Sequence, residues 1–161
     1  MSRGRARIAV LGAAWFFASL AGCAGSRPLP PPEQPVEVDA AALSGFVARI
    51  DSFYQLLPGR RFNTLDTFHD PALRGYFRSE DRFFDYYADL SQGLELAHFA
   101  KSRPDLARVV EFVFDASDRA RVQVVLRGED GRPLRPDTTD LIRIDRWEWA
   151  EENWWIAPEK L

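Results

Sequence analysis

The sequence predicts an α+β domain over residues 39–161, in which helices come first and an antiparallel sheet of four to five strands follows. Two observations carry this prediction. In the first half, apolar residues recur at the i, i+3, i+4 and i+7 spacing of a helical face. In the second half, they alternate with polar residues at every second position. A segment of about 120 residues is long enough to form one domain with its own core.

The first helix is predicted to begin after Asp39, because an aspartate accepts hydrogen bonds well at an N-cap, and to end at Pro58 and Gly59. Its apolar face consists of Leu43, Phe46, Val47, Ile50, Phe53, Tyr54 and Leu57. A short second helix is predicted at residues 63–68, and Pro71 is expected to interrupt the helical segment soon after it.

Ser79 is suited to capping a third helix, since two acidic residues follow it and favour the positive end of the helix dipole. The apolar face of this helix is predicted to hold Phe83, Tyr87, Leu90 and Leu94.

The spacing of apolar residues changes from that of a helix to that of a strand near residue 94. Residues 116–118 and 128–131 predict turns, and residues 151–153 link the last two strands. The predicted strands cover residues 94–101, 106–115, 119–127, 138–150 and 154–157.

This order of elements, with aromatic segments at residues 145–149 and 153–156, resembles the nuclear transport factor 2-like superfamily. The resemblance implies a strongly curved sheet that wraps the helices and forms a cone. That superfamily includes isomerases, dehydratases, ligand binders and interaction modules, so the fold alone does not select a function.

The N-terminus has the layout of an export signal: Arg3, Arg5 and Arg7 precede the apolar run 8–20. The run is shorter than the roughly 20 residues that a membrane-spanning helix needs. The sequence Leu-Ala-Gly-Cys at residues 20–23 then resembles the lipobox of bacterial lipoproteins.

The lipobox resemblance implies a signal peptide at residues 1–22 and cleavage between Gly22 and Cys23. It also implies a diacylglyceryl group on the Cys23 thiol, with a further acyl chain on the new amino terminus. Ala24 after the cysteine favours the outer membrane, facing the periplasm, in the sorting pattern that this resembles. An ordinary cleaved signal followed by a free thiol is the alternative.

Residues 23–38 are predicted to link the lipidated cysteine to the domain. Five prolines within residues 27–35 favour extended polyproline II, which would act as a semi-rigid spacer. At about 3.1 Å per residue, such a spacer holds a domain on the order of 40 Å from the lipid surface. A ligand for a proline-recognition domain is the alternative interpretation.

The charge of the chain argues against a nucleic-acid partner. The full sequence has 21 basic and 24 acidic side chains, and loss of residues 1–22 removes three arginines, so the formal charge falls from −3 to −6. Phosphate binding depends on clustered positive charge.

The four tryptophans near the C-terminus have two interpretations. Alternation places Trp147 and Trp149 on one face of their strand, and Trp154 and Trp155 on opposite faces. They either pack the sheet against the helices or form an aromatic platform at the mouth of the cone for a glycan or peptide. The platform requires at least two exposed rings.

Catalysis is not predicted. Tyr54 and His98 are the candidate pocket residues, the second placed on the first predicted strand beside Glu95. Asp66, Asp70 and His69 are further candidates for an isomerase- or dehydratase-like arrangement. The apolar stripes of the predicted sheet contain no carboxylate, and the sequence has no recognised nucleophile, phosphate or metal motif.

The strand over residues 106–115 predicts an association face. Val110, Phe112 and Phe114 are expected on one side, and Ala107, Val109 and Val113 on the other. Since helices cover only one side of the sheet, Val109, Val113 and Val125 predict pairing through its back, either with a second copy or with another envelope protein.

The sequence therefore predicts a lipid-anchored, non-enzymatic envelope adaptor or accessory module. A small-molecule or glycan carrier is the first alternative, and an isomerase- or dehydratase-like enzyme is the second. No cofactor is expected besides the covalent lipid on Cys23.

Overall fold

Four α-helices and a short 3-10 helix (Ala100–Ser102) precede a four-stranded sheet in the computed structural model, which describes residues 27–32, 36–134 and 137–158. The helices are α1 (Ala40–Tyr54), α2 (Leu65–Phe68), α3 (Pro71–Arg74) and α4 (Glu80–Leu96). The strands are β1 (Leu106–Ala116), β2 (Arg119–Glu129), β3 (Thr138–Ala150) and β4 (Asn153–Ile156). The predicted α+β class is confirmed. The predictions for the signal peptide, its cleavage site and Cys23 lie outside the described residues.

The predicted helix caps are confirmed at both long helices. The Asp39 carboxylate accepts a hydrogen bond from the Ala41 amide at 3.1 Å, and the Ser79 hydroxyl accepts one from the Arg82 amide at 3.3 Å. Pro71 does not only interrupt the chain: it begins α3, where its missing N–H costs no hydrogen bond.

The predicted strand at residues 94–101 is wrong. Helix α4 continues through Leu96, and Leu90 and Leu94 are buried one turn apart on its inner side. His98 follows the helix with a positive φ of 62° and is exposed, so it does not lie on a strand. The apolar residues at this point were the last turn of a helix, which alternation alone does not distinguish from a strand.

The sheet is curved and antiparallel, in the order β1-β2-β3-β4. Its inner face packs against the helices, and the β2 residues buried on that face are those that alternation predicts: Ala120, Val122, Val124 and Leu126. We call the opposite side the outer face. Glu111, Gln123 and Ile144 lie on it side by side in the register of the first three strands.

A bulge in β1 corrects the predicted association face. The register with β2 shifts between Val109 and Glu111, so one extra residue, Val110, has no partner there. Val109 pairs with the buried Val124 and packs against the core, as Phe112 does beyond the bulge. The assignment of Val109 to the outer face is therefore wrong, because a one-residue shift moves a side chain to the other side of a sheet.

The turn predicted at residues 128–131 is also partly wrong, because β2 continues through Glu129. Gly128 lies against the segment after α4: a Cβ there would be 2.7 Å from the Arg103 carbonyl oxygen and from the Phe99 ring. The glycine is needed for this close approach.

The last hairpin forms where the sequence predicts, although Asn153 begins β4 instead of ending the link. Glu151 and Glu152 have φ angles of 53° and 60°, which a two-residue turn of this kind requires, and Trp149 pairs with Trp154 across it.

Candidate functional site

The interior of the curved sheet is filled by aromatic side chains. Trp147 and Trp154 are each 1% exposed, and Phe46 of α1 lies between them, with ring centroids at 6.1 and 4.8 Å. Phe53 packs against the Trp147 ring at 5.8 Å. These rings form the core that joins the helices to the sheet, as the first interpretation of the tryptophans expects.

The structure does not provide the two exposed tryptophan rings that an aromatic platform requires. Trp149 is 42% exposed, but its ring packs against Trp154 at 5.5 Å. Trp155 is half-buried, and its indole nitrogen donates to the Ala150 carbonyl oxygen at 2.9 Å. Among the four clustered tryptophans, only Trp149 is exposed, so two open rings are not available for stacking.

Two buried tyrosines and an arginine converge on Asp145 between the helices and the curved sheet. The hydroxyls of Tyr54 and Tyr86 donate to the same oxygen, Asp145 Oδ2, at 2.8 and 3.1 Å. Arg143 Nε donates to the other oxygen at 2.8 Å, and its Nη2 lies 3.2 Å from Asp89. We call Tyr54, Tyr86, Arg143 and Asp145 the buried polar cluster.

The electrostatics of this cluster hold its protons in place. Burial raises the pKa of both Tyr54 and Tyr86 well above 10, and the neighbouring Asp145 charge raises it further. Burial opposes the charge on Arg143, but the combined effect of Asp145, Tyr86 and Asp89 outweighs burial, and the pKa of Arg143 rises. The phenols are therefore neutral donors to a fixed ion pair, which is a stabilising arrangement rather than a group ready to exchange protons near pH 7.

We expect the stability of the domain to fall as the pH rises above about 10, and Tyr54→Phe to reduce the loss. Below that pH the phenols are protonated whether the chain is folded or not. Above it, the unfolded chain releases protons that the folded chain retains, which costs about 1.4 kcal/mol per pH unit for each such phenol. Denaturant unfolding at pH 8 and pH 11 measures the effect. An equal loss in Tyr54→Phe and in the original protein would contradict it.

The other candidate catalytic residues lie apart from Tyr54. The His98 side chain is exposed after α4, and its carbonyl oxygen accepts from the Gly131 amide at 2.7 Å. Asp70 caps α3 and pairs with Arg60 at 2.8 Å, while His69 Nδ1 lies 3.2 Å from Arg74. The fold therefore does not join these side chains into one acid and base arrangement. Over the described ranges, no group of three or more His, Cys, Asp or Glu side chains is placed to hold a metal ion.

The outer face carries exposed branched side chains at its centre. Ile142 and Ile144 of β3 are 42% and 52% exposed, and Val125 pairs with Ile142 on the neighbouring strand. We call Val125, Ile142 and Ile144 the open patch. Val113 also faces outward, beside Arg121, so two of the three residues predicted for an association face do lie on this side.

The proline-rich residues 27–32 lie against the same face, and we call them the docked segment. Leu29 is only 5% exposed, and its amide donates to Glu111 Oε2 at 2.9 Å. Arg121 Nη2 donates to the Pro30 carbonyl oxygen at 3.0 Å. The described part of the proline-rich linker is thus neither helix nor strand, as predicted, but it does not stand clear of the domain.

A cleft of about 720 Å³ opens beside the docked segment. Pro30, Pro31 and Pro32 line one side, and Arg119, Arg121, Arg146, Asp115 and Glu148 line the other. Its charges are largely paired, since Asp115 binds Arg121 through both oxygens and Glu148 binds Arg82 at 2.6 Å. The lining is therefore mixed in charge and does not select a single class of ligand.

Comparison with protein-family models, with curated proteins and with solved structures found no match for this chain. None of the helices within the described ranges is both long and apolar enough to cross a bilayer.

Of the buried polar cluster, only Tyr54 was predicted from the sequence, although one pattern in β3 indicates the buried ion pair. Alternation along β3 places Arg143 and Asp145 on the same side as Trp147. A charged pair on the aromatic side of a strand indicates a buried ion pair. The same alternation places Ile142 and Ile144 on the outer face.

Proposed function

We propose that this chain is a lipid-anchored adaptor of the bacterial envelope, which pairs with a second copy of itself through the outer face of its sheet. The observation that carries the proposal is the open patch: Ile142 and Ile144 are exposed on the side of the sheet that the helices leave uncovered. An antiparallel sheet with one solvated face normally carries polar residues there.

Charge supports self-pairing at this surface. Arg127 and Asp140 form an ion pair at 2.6 Å at one end of the outer face, beside Val125 and Ile142 in the register. A two-fold pair brings the same surface of both copies together. Each copy then presents both signs at the rim and apolar side chains at the centre, which is the usual composition of an interface.

The anchor is supported by the N-terminal sequence. A basic start, a short apolar run and a cysteine at the cleavage point together resemble a lipoprotein signal. At about 0.8 kcal/mol for each buried methylene, two or three acyl chains hold a protein at a membrane durably, whereas one does not.

One observation favours a carrier as the second candidate. The cleft beside the docked segment has a volume within the range of small-molecule sites. In this alternative the ligand would lie between the prolines and the arginines Arg119 and Arg146, with Trp147 also in the lining of the cleft.

The test of self-pairing is the change Ile144→Lys. A lysine at the centre of the interface would have to lose its hydration, so we expect the dimer dissociation constant to rise more than about tenfold, or about 1.4 kcal/mol. The matched control is Leu65→Lys, at an exposed leucine on the helical side of the chain. Sedimentation of the purified domain at high micromolar concentration measures both.

The expected result is a dimer for the original protein and for Leu65→Lys, and a monomer for Ile144→Lys. A monomeric original protein at high micromolar concentration would remove the support for self-pairing. An Ile144→Lys variant that remains dimeric would place any interface elsewhere.

A further inference from the structure

The docked segment is bound by specific contacts, although its composition is that of a free spacer. Leu29 is the one residue between Pro28 and Pro32 that has a backbone N–H. That single donor is used, since it is directed at the Glu111 carboxylate 82 positions along the chain. A hydrogen bond to a charged acceptor is stronger than a neutral one.

The other contacts of the segment are also built by the outer face. Arg121 reaches the Pro30 carbonyl oxygen with Nη2, and the same guanidinium is held by three contacts with Asp115 at 2.7 to 3.1 Å. The contacts with Asp115 therefore hold the Arg121 side chain in the position from which it binds the docked segment. The Leu29 side chain, at 5% exposed, adds a buried apolar anchor.

We infer that the docked segment acts as a clamp, which holds the domain close to the membrane and turns the outer face beside β1 and β2 toward the lipid anchor. This inference rests on the proposed lipidation of Cys23. It goes beyond the proposed function because it assigns a ligand to the outer face, namely the chain's own proline-rich segment, and a consequence for the position of the domain.

The clamp shortens the reach of the linker. Leu29 is six positions after Cys23, and a fully extended chain covers at most about 3.5 Å per residue, so the contact at Glu111 lies within roughly 20 Å of the anchor. A linker that is free up to Asp39 would extend on the order of 40 Å or more. Docking therefore roughly halves the distance that the domain can stand from the bilayer.

The clamp also determines which surface is near the lipid. Cys23 is joined to the domain through Leu29, which lies against the outer face, and the cleft lined by Arg119 and Arg146 adjoins the prolines that follow. The helices lie on the opposite side of the sheet. The open patch on β3 remains uncovered for a second copy.

Energy transfer from tryptophan to a dansyl-labelled lipid measures the distance. After loss of the signal peptide, every tryptophan of the chain lies within residues 147–155, so the donors report on one region of the domain. The mature lipidated chain is placed in phosphatidylethanolamine and phosphatidylglycerol vesicles that contain the labelled lipid. The variants are Leu29→Ser and Glu111→Ala, and Leu65→Ser is the matched control.

We expect efficient transfer in the original protein and in Leu65→Ser, and transfer reduced severalfold in Leu29→Ser and Glu111→Ala. Leu29 and Glu111 lie outside the hydrophobic cluster between the helices and the sheet, and circular dichroism checks that both clamp variants remain folded. Equal transfer in all four proteins would overturn the clamp.

Failure of the anchor gives a different result from failure of the clamp. If the original protein does not stay with the vesicles, the lipidation of Cys23 is wrong, and the clamp is then tested on the soluble chain by hydrogen exchange of the Leu29 amide. A clamp predicts exchange at least about tenfold slower in the original protein than in Glu111→Ala. Equal exchange rates would overturn it.

Discussion

Replacing Trp147 with alanine is expected to lower the free energy of unfolding by about 3 to 5 kcal/mol. Trp147 is 1% exposed and packs against Phe46, Phe53 and Tyr54, which belong to the first helix. Its removal leaves a cavity where helix and sheet meet, and such a core cannot close around a lost indole. Denaturant unfolding followed by circular dichroism measures the change.

The matched control for Trp147→Ala is Trp149→Ala, two positions along the same strand. Trp149 is on the same side of β3 but is 42% exposed, so we expect its loss to cost about 1 kcal/mol. Equal effects of the two substitutions would contradict the assignment of Trp147 to the core and of Trp149 to its margin.

Replacing Arg143 with leucine is expected to cost about 3 to 5 kcal/mol, because it leaves the Asp145 carboxylate buried without its cation. Asp145 is 3% exposed, and its remaining partners, Tyr54 and Tyr86, are neutral donors. The unfolding free energy at pH 7 is the measurement.

The double change Arg143→Leu with Asp145→Leu is the control for this cluster. Removing both charges leaves no unpaired ion, so the double variant should be more stable than Arg143→Leu alone. A cost below about 1 kcal/mol for Arg143→Leu, or a double variant that is no more stable than the single one, would contradict a buried ion pair.

The helices could be read from the sequence because their signals are local. Asp39 and Ser79 cap the two long helices through amides two or three residues away, and the apolar stripe of α1 recurs at every turn. The end of α4 could not be predicted from the sequence, because Leu94 and the residues after it fit a strand as well as a last helical turn. That choice is made by packing against the sheet.

The features of the outer face depend on distant residues, and this limited their prediction. The bulge at Val110 exists only in relation to β2, so the sequence of β1 alone placed Val109 on the wrong side. The docked segment joins Leu29 to Glu111, two positions that no local pattern connects. By contrast, Ile142 and Ile144 follow simple alternation, and the sequence contained the information to assign them to the open patch.

Native mass spectrometry of the protein gently extracted from its own membrane tests the lipid anchor and the self-pairing together. We expect a complex of two chains, each beginning at Cys23 and carrying the added mass of a diacylglyceryl group and a further acyl chain. A single chain without added lipid mass would contradict both the anchor and the pairing through the outer face.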